Sequence, residues 1–234
     1  MELRQLTTNA ERQAYAQCLA QARETRGRGF REKEGSSNGR AHMLLGDMFG
    51  LFDNEDAALE QMRAGFIVHS AASFPLSYPK PDLTHLAPES VIEGSELWSL
   101  SPGSGRVAKI VAGAVVGMMQ ARAMVLYSLV KPIDLTRYYH EDGFINACEP
   151  VPWPYVETLE GETMWVQPLI LEGAALERYV RAGFELLFRC ASSPRRMRFA
   201  DSMATVEQNA AAMEHAAQQR RRIAPAAVNG ETSH

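Results

Sequence analysis

The sequence predicts an α+β protein with a mixed sheet, and three observations lead to that prediction. Two segments, 107–122 and 174–189, place apolar residues at the helical spacing i, i+3, i+4 and i+7. Short runs rich in β-branched and aromatic residues, such as MVLYSLV at 124–130, are typical of strands. The elements follow one another in the order α, ββ, βαβα, β, α, which indicates a mixed sheet.

Composition limits the classes of protein to consider. With 234 residues, 46% of them hydrophobic, the chain can bury one sizeable core or at most two small ones. A net charge of -4 argues against a nucleic-acid partner. No apolar run is long enough to span a membrane, and the polar N-terminus is unlike a signal peptide. The three cysteines, far apart and without CxxC spacing, argue against disulfides and against a zinc site. We therefore expect a soluble, cytoplasmic protein without a metal.

The first half of the chain predicts a helix, a hairpin and a long connection. Asn9 caps a helix over 9–25, and the apolar segments 41–56 and 62–75 read as two strands of a hairpin. Residues 27–40, rich in glycine and charge, are predicted to be a loop. The stretch 74–90 holds four prolines and is expected to run along the surface or to line a site.

The second half contains the most regular pattern. A strand over 90–101, a turn over 101–106 and the helix over 107–122 lead into the strand MVLYSLV. One crossover helix between two strands makes them parallel neighbours. A short helix follows, capped by Asp134 and ended by Gly143, then a strand over 163–171 and the last helix.

The domain prediction is one unit over 1–190 followed by an extension over 191–234. The extension has helix-forming composition but few apolar residues, so we expect it to be helical or partly disordered and to pack weakly or on a partner. A homodimer is one such assembly. The arginine clusters at 195–198 and 220–222 are either solvated charges or an attraction for an acidic carrier protein.

Residues 91–144 resemble the core of the GNAT (GCN5-related N-acetyltransferase) fold. The resemblance is carried by the strand VIEGSELWSLS, the loop PGSGR, the strand MVLYSLV and the ending Tyr139-His-Glu-Asp-Gly143-Phe144, and the order of elements agrees over about 1–172. It implies a mixed, mostly antiparallel sheet flanked by helices. It also implies acyl transfer from a thioester, on CoA or acyl carrier protein, to the amine of a small molecule.

Within that family the Pro-rich connection followed by SELWSLS is most similar to the branch of acyl-homoserine-lactone synthases, N-acyl amino acid synthases and exosortase-associated acyltransferases, which implies a bacterial enzyme. Lactone synthases carry Glu-Leu-Ser-Arg where this chain has Glu96-Leu97-Trp98-Ser99. This departure favours acyl transfer in general over lactone synthesis. The alternative is a non-catalytic module of the same fold that binds a ligand or a protein partner.

The resemblance places the thioester donor at the loop before the central helix. A Gly-rich turn at a helix N-terminus offers free N–H groups and a positive dipole to phosphate, while an ordinary tight turn is the alternative. No permanently bound cofactor is implied, since acyl-CoA or acyl carrier protein acts as co-substrate. The candidate donor-binding residues are Leu100, Gly103, Ser104, Gly105, Arg106 and Lys109.

Direct acyl transfer needs a base for the amine and an acid for the departing thiolate. Glu96, alone in an apolar strand, is the candidate base; the alternative is a structural ion pair. Tyr139 stands at the position of the family's thiolate-protonating tyrosine, and the alternative is a core aromatic. Glu93, three residues before Glu96, is expected to face the other side of the strand as a solvated charge.

Three further residues are candidates for substrate binding. Trp98 shares a strand face with Glu96 and would wall an acyl channel, or it is simply a core residue. His69 and His85 lie where they would line the acceptor pocket, although a structural role suits both as well. No histidine pair has metal-ligand spacing beside an acid, so no metal is predicted.

Overall fold

The computed structural model of this chain describes residues 1–25, 30–32, 46–54, 56–77, 80–191 and 198–199. The helices are α1 (Asn9–Thr25), α2 (Ser104–Met118), α3 (Thr136–His140) and α4 (Gly173–Ala191). The strands are β1 (Glu2–Leu6), β2 (Phe30–Glu32), β3 (Asp47–Phe52), β4 (Ala64–Ser70), β5 (Val91–Ser99), β6 (Ala123–Lys131), β7 (Ile145–Asn146), β8 (Val151–Thr158), β9 (Thr163–Glu172) and β10 (Arg198–Phe199).

The described strands form one sheet in the order β10-β1-β3-β4-β5-β6-β9-β8-β2, with β7 also paired to β9. Pairing is parallel between β1 and β10 and between β5 and β6, and antiparallel at the other pairs. The predicted α+β class with a mixed, mostly antiparallel sheet is confirmed. The predicted hairpin is β3–β4, and the crossover through α2 makes β5 and β6 parallel, as expected.

The sheet is covered on both faces. On one face α1 buries Tyr15, Cys18, Leu19 and Ala22, at the helical spacing expected from the sequence, against residues of β3 and β4. On the other face α2 lies between the sheet and α4, so nearly all its sides are buried. Gly183 allows this close contact, because a Cβ there would lie 2.4 Å from the backbone nitrogen of Ala114.

The helix α2 begins at Ser104, three residues earlier than predicted. Gly103 takes a left-handed backbone with φ of 81° just before it, a conformation that glycine adopts without strain. The Ser104 hydroxyl then donates to the carbonyl of Ser101 at 2.8 Å. The predicted turn is therefore shorter, because its last residues already belong to the first turn of the helix.

Two predictions about irregular segments change. Within the predicted loop 27–40, Phe30–Glu32 is a strand that pairs with β8; the other residues of that loop lie outside the described part. Within the predicted extension 191–234, Arg198–Phe199 pairs in parallel with β1, and the expected helix or disorder lies outside the described residues. A backbone ladder to a distant strand leaves no local sequence pattern, which explains both differences.

None of the helices in the described part of the chain is long and apolar enough to cross a membrane.

Candidate active site

The candidate site is a cleft between β5 and β6, which pair over four residues and then part. The last pair in the register is Gly94 with Leu126. Further along β5 a bulge interrupts its pairing with β4, where Gly65 faces Trp98 but Ile67 faces Ser95. A bulge bends its strand and increases the local twist. It therefore turns β5 away from β6, and an open cleft of about 180 Å³ lies between them.

Glu96 is in this bulge and has a left-handed backbone with φ of 52°. Its side chain is 9% exposed and forms an ion pair with Arg23 of α1, whose Nη2 lies 2.7 Å and 2.6 Å from the two carboxylate oxygens. Its carbonyl accepts the phenol of Tyr15 at 3.1 Å. The ion pair that the sequence left open is present, and both of its partners line the cleft.

Tyr139 lines the cleft from α3, and Glu96 lines it from β5. The predicted cap Asp134 lies one residue before the N-cap, which is Leu135 and has no side-chain cap bond. Asp134 instead accepts hydrogen bonds from the backbone N–H and the hydroxyl of Thr136, at 2.8 Å and 2.6 Å. The ring of Tyr139 is half-buried and packs edge-on against Phe144, with centroids 6.0 Å apart. The structure therefore brings the two predicted catalytic residues to one cleft and gives Tyr139 a partly core environment.

The predicted donor loop is only partly as expected. Arg106 is exposed in the first turn of α2. Lys109, one turn further on, is 5% exposed. Its Nζ lies 2.7 Å from an Asp142 carboxylate oxygen and 2.7 Å from the Tyr138 carbonyl. Asp142 compensates the charge of Lys109 inside the protein. Of the two predicted cations, Arg106 is therefore the one that stays exposed at the loop.

The remaining loop residues shape the helix start. The N–H of Leu100 donates to the carbonyl of Arg63 at 2.8 Å, and the hydroxyl of Ser104 also reaches that carbonyl at 3.1 Å. Gly105 packs closely against the end of β5, since a Cβ there would lie 2.9 Å from the Ser99 Oγ. Gly103 lies in open space. These contacts anchor the loop to the sheet. The backbone N–H groups of the first turn of α2 lie where this loop ends.

The three predicted substrate-binding residues do not lie together in the structure. Trp98 lines the cleft but is 5% exposed and packs edge-on against Tyr15, so it is largely a core residue. His69 is buried 3.7 Å from a Glu93 oxygen, and His85 is exposed with its Nε2 3.4 Å from a Glu172 oxygen. Neither histidine is among the residues that line the cleft.

The expectation that Glu93 is a solvated charge on the opposite face is wrong. Glu93 is 2% exposed, and it accepts hydrogen bonds from the backbone N–H and the hydroxyl of Ser77, at 2.8 Å and 2.6 Å. Burial raises the pKa of Glu93, and the two bonds from Ser77 oppose that rise. The bulge places one extra residue between Glu93 and Glu96, so simple alternation fails and both carboxylates lie on the α1 face.

The cleft residues that sequence reasoning missed include a charged and a phenolic side chain, those of Arg23 and Tyr127. Arg23 follows Leu19 by four residues, on the buried face of α1, and this spacing could have indicated it. Tyr127 is the aromatic residue of β6, and burial together with the charge of Glu93 raises its pKa. The phenol is therefore always protonated at neutral pH.

A second, smaller pocket lies on the α2 face of the sheet. It has a volume of about 20 Å³ and apolar walls that include Phe66, Met124 and Leu126. It shares Gly94, Ser95, Leu97, Leu126 and Tyr139 with the cleft. The cleft and this pocket therefore adjoin at the gap between the parted strands.

Within the described ranges, no three His, Cys, Asp or Glu side chains come together as a metal site requires.

No protein-family model matches this chain, and neither does any curated protein. Among solved structures, the chain is similar to FeeM, an N-acyl amino acid synthase from uncultured soil microbes. The identity is 14%, the match covers 77% of this chain and 98% of FeeM, and the TM-score is 0.51. The chain has the GNAT fold.

Two other solved structures have lower TM-scores. A probable acetyltransferase from Staphylococcus epidermidis is 12% identical, with 74% of this chain and 98% of that chain covered and a TM-score of 0.48. TofI in an apo form is 14% identical, with 58% and 72% covered and a TM-score of 0.39. At such identities the likeness concerns the GNAT fold and not the reaction.

Proposed function

We propose that this protein is an N-acyltransferase. It transfers an acyl group from a thioester, on CoA or acyl carrier protein, to the amine of a small molecule. The observation that carries the proposal is the position of Glu96 and Tyr139, which line one cleft at the point where β5 and β6 part. A carboxylate and a phenol facing a common space are the base and the acid that direct transfer requires.

The reaction follows from those two groups. The amine attacks the thioester carbonyl while Glu96, or a water that it holds, takes the proton that the nitrogen loses. The C–S bond then breaks, and the Tyr139 hydroxyl gives its proton to the departing thiolate and recovers one from solvent. The products are an amide and a free thiol. Each oxygen of the Glu96 carboxylate keeps acceptor capacity beyond its bond to Arg23.

Two regions beside the cleft support a donor site, one suited to the phosphate groups and one to the acyl group. At one side the N-terminus of α2 presents Gly105 and Arg106, where backbone N–H groups and an exposed guanidinium suit phosphate. At the other side the apolar pocket beyond Gly94 suits the end of the acyl group. The donor therefore enters along α2 and places its acyl group in the gap between β5 and β6.

The acceptor that fits the cleft best is an amino acid. Arg23 and Glu96 bring one guanidinium and one carboxylate to the same wall. A zwitterion matches that pair, since its ammonium is attracted to Glu96 and its carboxylate to Arg23. The name of FeeM, an N-acyl amino acid synthase, agrees with this acceptor class.

The test is turnover by the full chain. Acetyl-CoA, octanoyl-CoA or an octanoyl carrier protein is mixed with the common amino acids, and free thiol and amide product are measured by absorbance and mass spectrometry. Tyr139→Phe should lower kcat about 100-fold because the leaving thiolate loses its proton donor. The matched control is Tyr138→Phe, on the adjacent and more exposed residue, which should stay near wild type.

Two outcomes count against the proposal. No amide from any donor would favour the non-catalytic module. Equal loss of stability and activity in Tyr139→Phe, followed by thermal unfolding, would assign Tyr139 to the core alone. For the acceptor, amino acid amides should react with a KM about tenfold higher than the acids, because Arg23 then has no carboxylate to bind; equal KM values would remove the amino acid from the proposal.

A further inference from the structure

Ser77, in the Pro-rich connection, bonds to both strands that border the cleft. Its backbone N–H and its hydroxyl both donate to the carboxylate of Glu93 on β5, at 2.8 Å and 2.6 Å. Its carbonyl accepts the phenol of Tyr127 on β6 at 2.6 Å. We call these three hydrogen bonds the Ser77 bridge.

The position of the bridge coincides with the closed end of the cleft. Gly94 and Leu126 are the last residues paired between β5 and β6. Glu93 comes just before Gly94, and Tyr127 comes just after Leu126. The bridge therefore spans the two strands where their backbone pairing stops, and Tyr127 itself lines the cleft.

The Ser77 bridge is held by a buried carboxylate and by apolar contacts around it, and it is therefore more than a surface contact. The buried carboxylate of Glu93 needs donors, and Ser77 supplies two of them. Leu76 packs against the apolar cluster beneath the connection, and Phe74 lies edge-on to His69 with centroids 5.9 Å apart. Apolar contacts on the preceding residues thus hold Ser77 over the sheet.

We propose that Ser77 is a positioning residue for the cleft. Through its carbonyl it holds the Tyr127 ring at the closed end, and through Glu93 it is itself held to β5. This orientation sets the space that is open to a ligand between the strands. The identity of that ligand, the thioester, rests on the proposed function; the bridge and its hold on Tyr127 do not.

Losing either end of the bridge should therefore have the same consequence. Past Leu126 the strand β6 has no ladder to β5, so the bond to the Ser77 carbonyl is a restraint that ties the Tyr127 ring across the two strands. Without this restraint the ring can shift toward the cleft. Substrate binding would be weakened, while Glu96 and Tyr139, which perform the chemistry, would be unchanged. The effect belongs in KM rather than kcat.

The experiment compares Ser77→Ala, Tyr127→Phe and the double variant with Ser73→Ala. Ser73 lies just before the same connection, and its backbone N–H donates to the Ser70 carbonyl, a bond that the substitution keeps. With octanoyl-CoA as the probe, Tyr127→Phe should raise KM about fivefold, the value of about one net hydrogen bond, with kcat little changed. Ser77→Ala removes the hydroxyl bond to Glu93 but keeps the two backbone bonds of the bridge, so it should raise KM by a smaller factor. The double variant should be no worse than Tyr127→Phe, because both changes break one bridge. Ser73→Ala should behave as wild type.

A multiplied effect in the double variant, or an unchanged KM in either single variant, would overturn the proposal. A second readout separates it from the proposed reaction. In native-state hydrogen exchange of the full chain, Tyr127→Phe should speed exchange of the Ser77 amide several-fold, and Ser73→Ala should not. If the wild type turns over no thioester, this exchange decides alone: a faster Ser77 amide supports the bridge and an unchanged one removes it.

Discussion

Glu93 is a carboxylate that water hardly reaches, and it lies beside a cleft rather than in it. Ser77 binds it, and His69 and Tyr127 are the titratable groups that face it from β4 and β6. Desolvation outweighs the Ser77 bonds, so its pKa is raised above the ordinary value of a glutamate. At the residue scale this makes Glu93 a group whose charge costs stability.

The sign of the resulting pH dependence follows from linkage. A folded-state pKa above the unfolded one contributes stability that is complete below the unfolded pKa and is lost as the pH rises through the folded pKa. The glutamine of the Glu93→Gln variant cannot ionise, so this variant does not lose that stability as the pH rises. The free energy of unfolding of wild type minus that of Glu93→Gln should therefore fall as the pH rises above about 4, measured by urea denaturation at each pH.

The controls address the neighbours of Glu93. Glu89→Gln, on an exposed glutamate in the same region, should show no comparable trend. Repeating the series with His69→Gln in both proteins removes the titration of His69, which lies 3.7 Å away. A difference that stays constant with pH would contradict the raised pKa.

At the scale of elements, the apolar pocket depends on how α2 packs beneath the parted strands. Met124 of β6 forms part of its wall and is 2% exposed. A methionine side chain is flexible and fills irregular gaps. In a pocket of about 20 Å³, that side chain limits the space open to a ligand. Under the proposed function, that ligand is the end of the acyl group.

Met124→Ala should enlarge this pocket and change acyl preference. We expect the ratio of kcat/KM for octanoyl-CoA to that for acetyl-CoA to rise about tenfold, since each additional buried methylene contributes about 0.8 kcal/mol. The matched control is Met62→Ala, an equally buried methionine in the cluster on the α1 face. Both variants should lose about 2–5 kcal/mol of stability. If the ratio changes equally in both variants, acyl preference does not depend on this pocket, and the prediction is wrong.

At the scale of the whole molecule, the cleft crosses the middle of one continuous sheet. The cleft divides this sheet into two halves, with β10, β1, β3, β4 and β5 on one side and β6, β9, β8 and β2 on the other. Each half contains strands from both the first and the second half of the chain. A ligand held between β5 and β6 therefore contacts both halves and should stabilise the fold as a unit.

Thermal unfolding should report that stabilisation. A thioester at 100 times its Kd adds about 2.7 kcal/mol, which for a chain of this size raises the Tm by about 5–10 °C. Octanoyl-CoA and acetyl-CoA should both raise it, and Arg106→Ala should reduce the shift by weakening phosphate binding. No shift with either compound would leave an acyl carrier protein as the donor and remove the role assigned to Arg106.

Periodicity was sufficient to predict the main elements. It predicted α1, the β3–β4 hairpin, the parallel pair around α2 and the last helix, because helix and strand patterns are local and report which face of an element is buried. The family resemblance between Glu96 and Gly143 also led to Glu96 and Tyr139, and both of these residues line the cleft. These features need no knowledge of distant partners.

The tertiary structure decided the partners. Glu96 pairs with Arg23 across 73 residues, Lys109 turns from the loop to Asp142, and Glu93 is buried under Ser77. The bulge at Glu96 reverses the face that simple alternation assigns to Glu93. A residue pattern states how much surface an element must bury but not which distant side chain will meet it, because that depends on the register and bending of strands far apart in the chain.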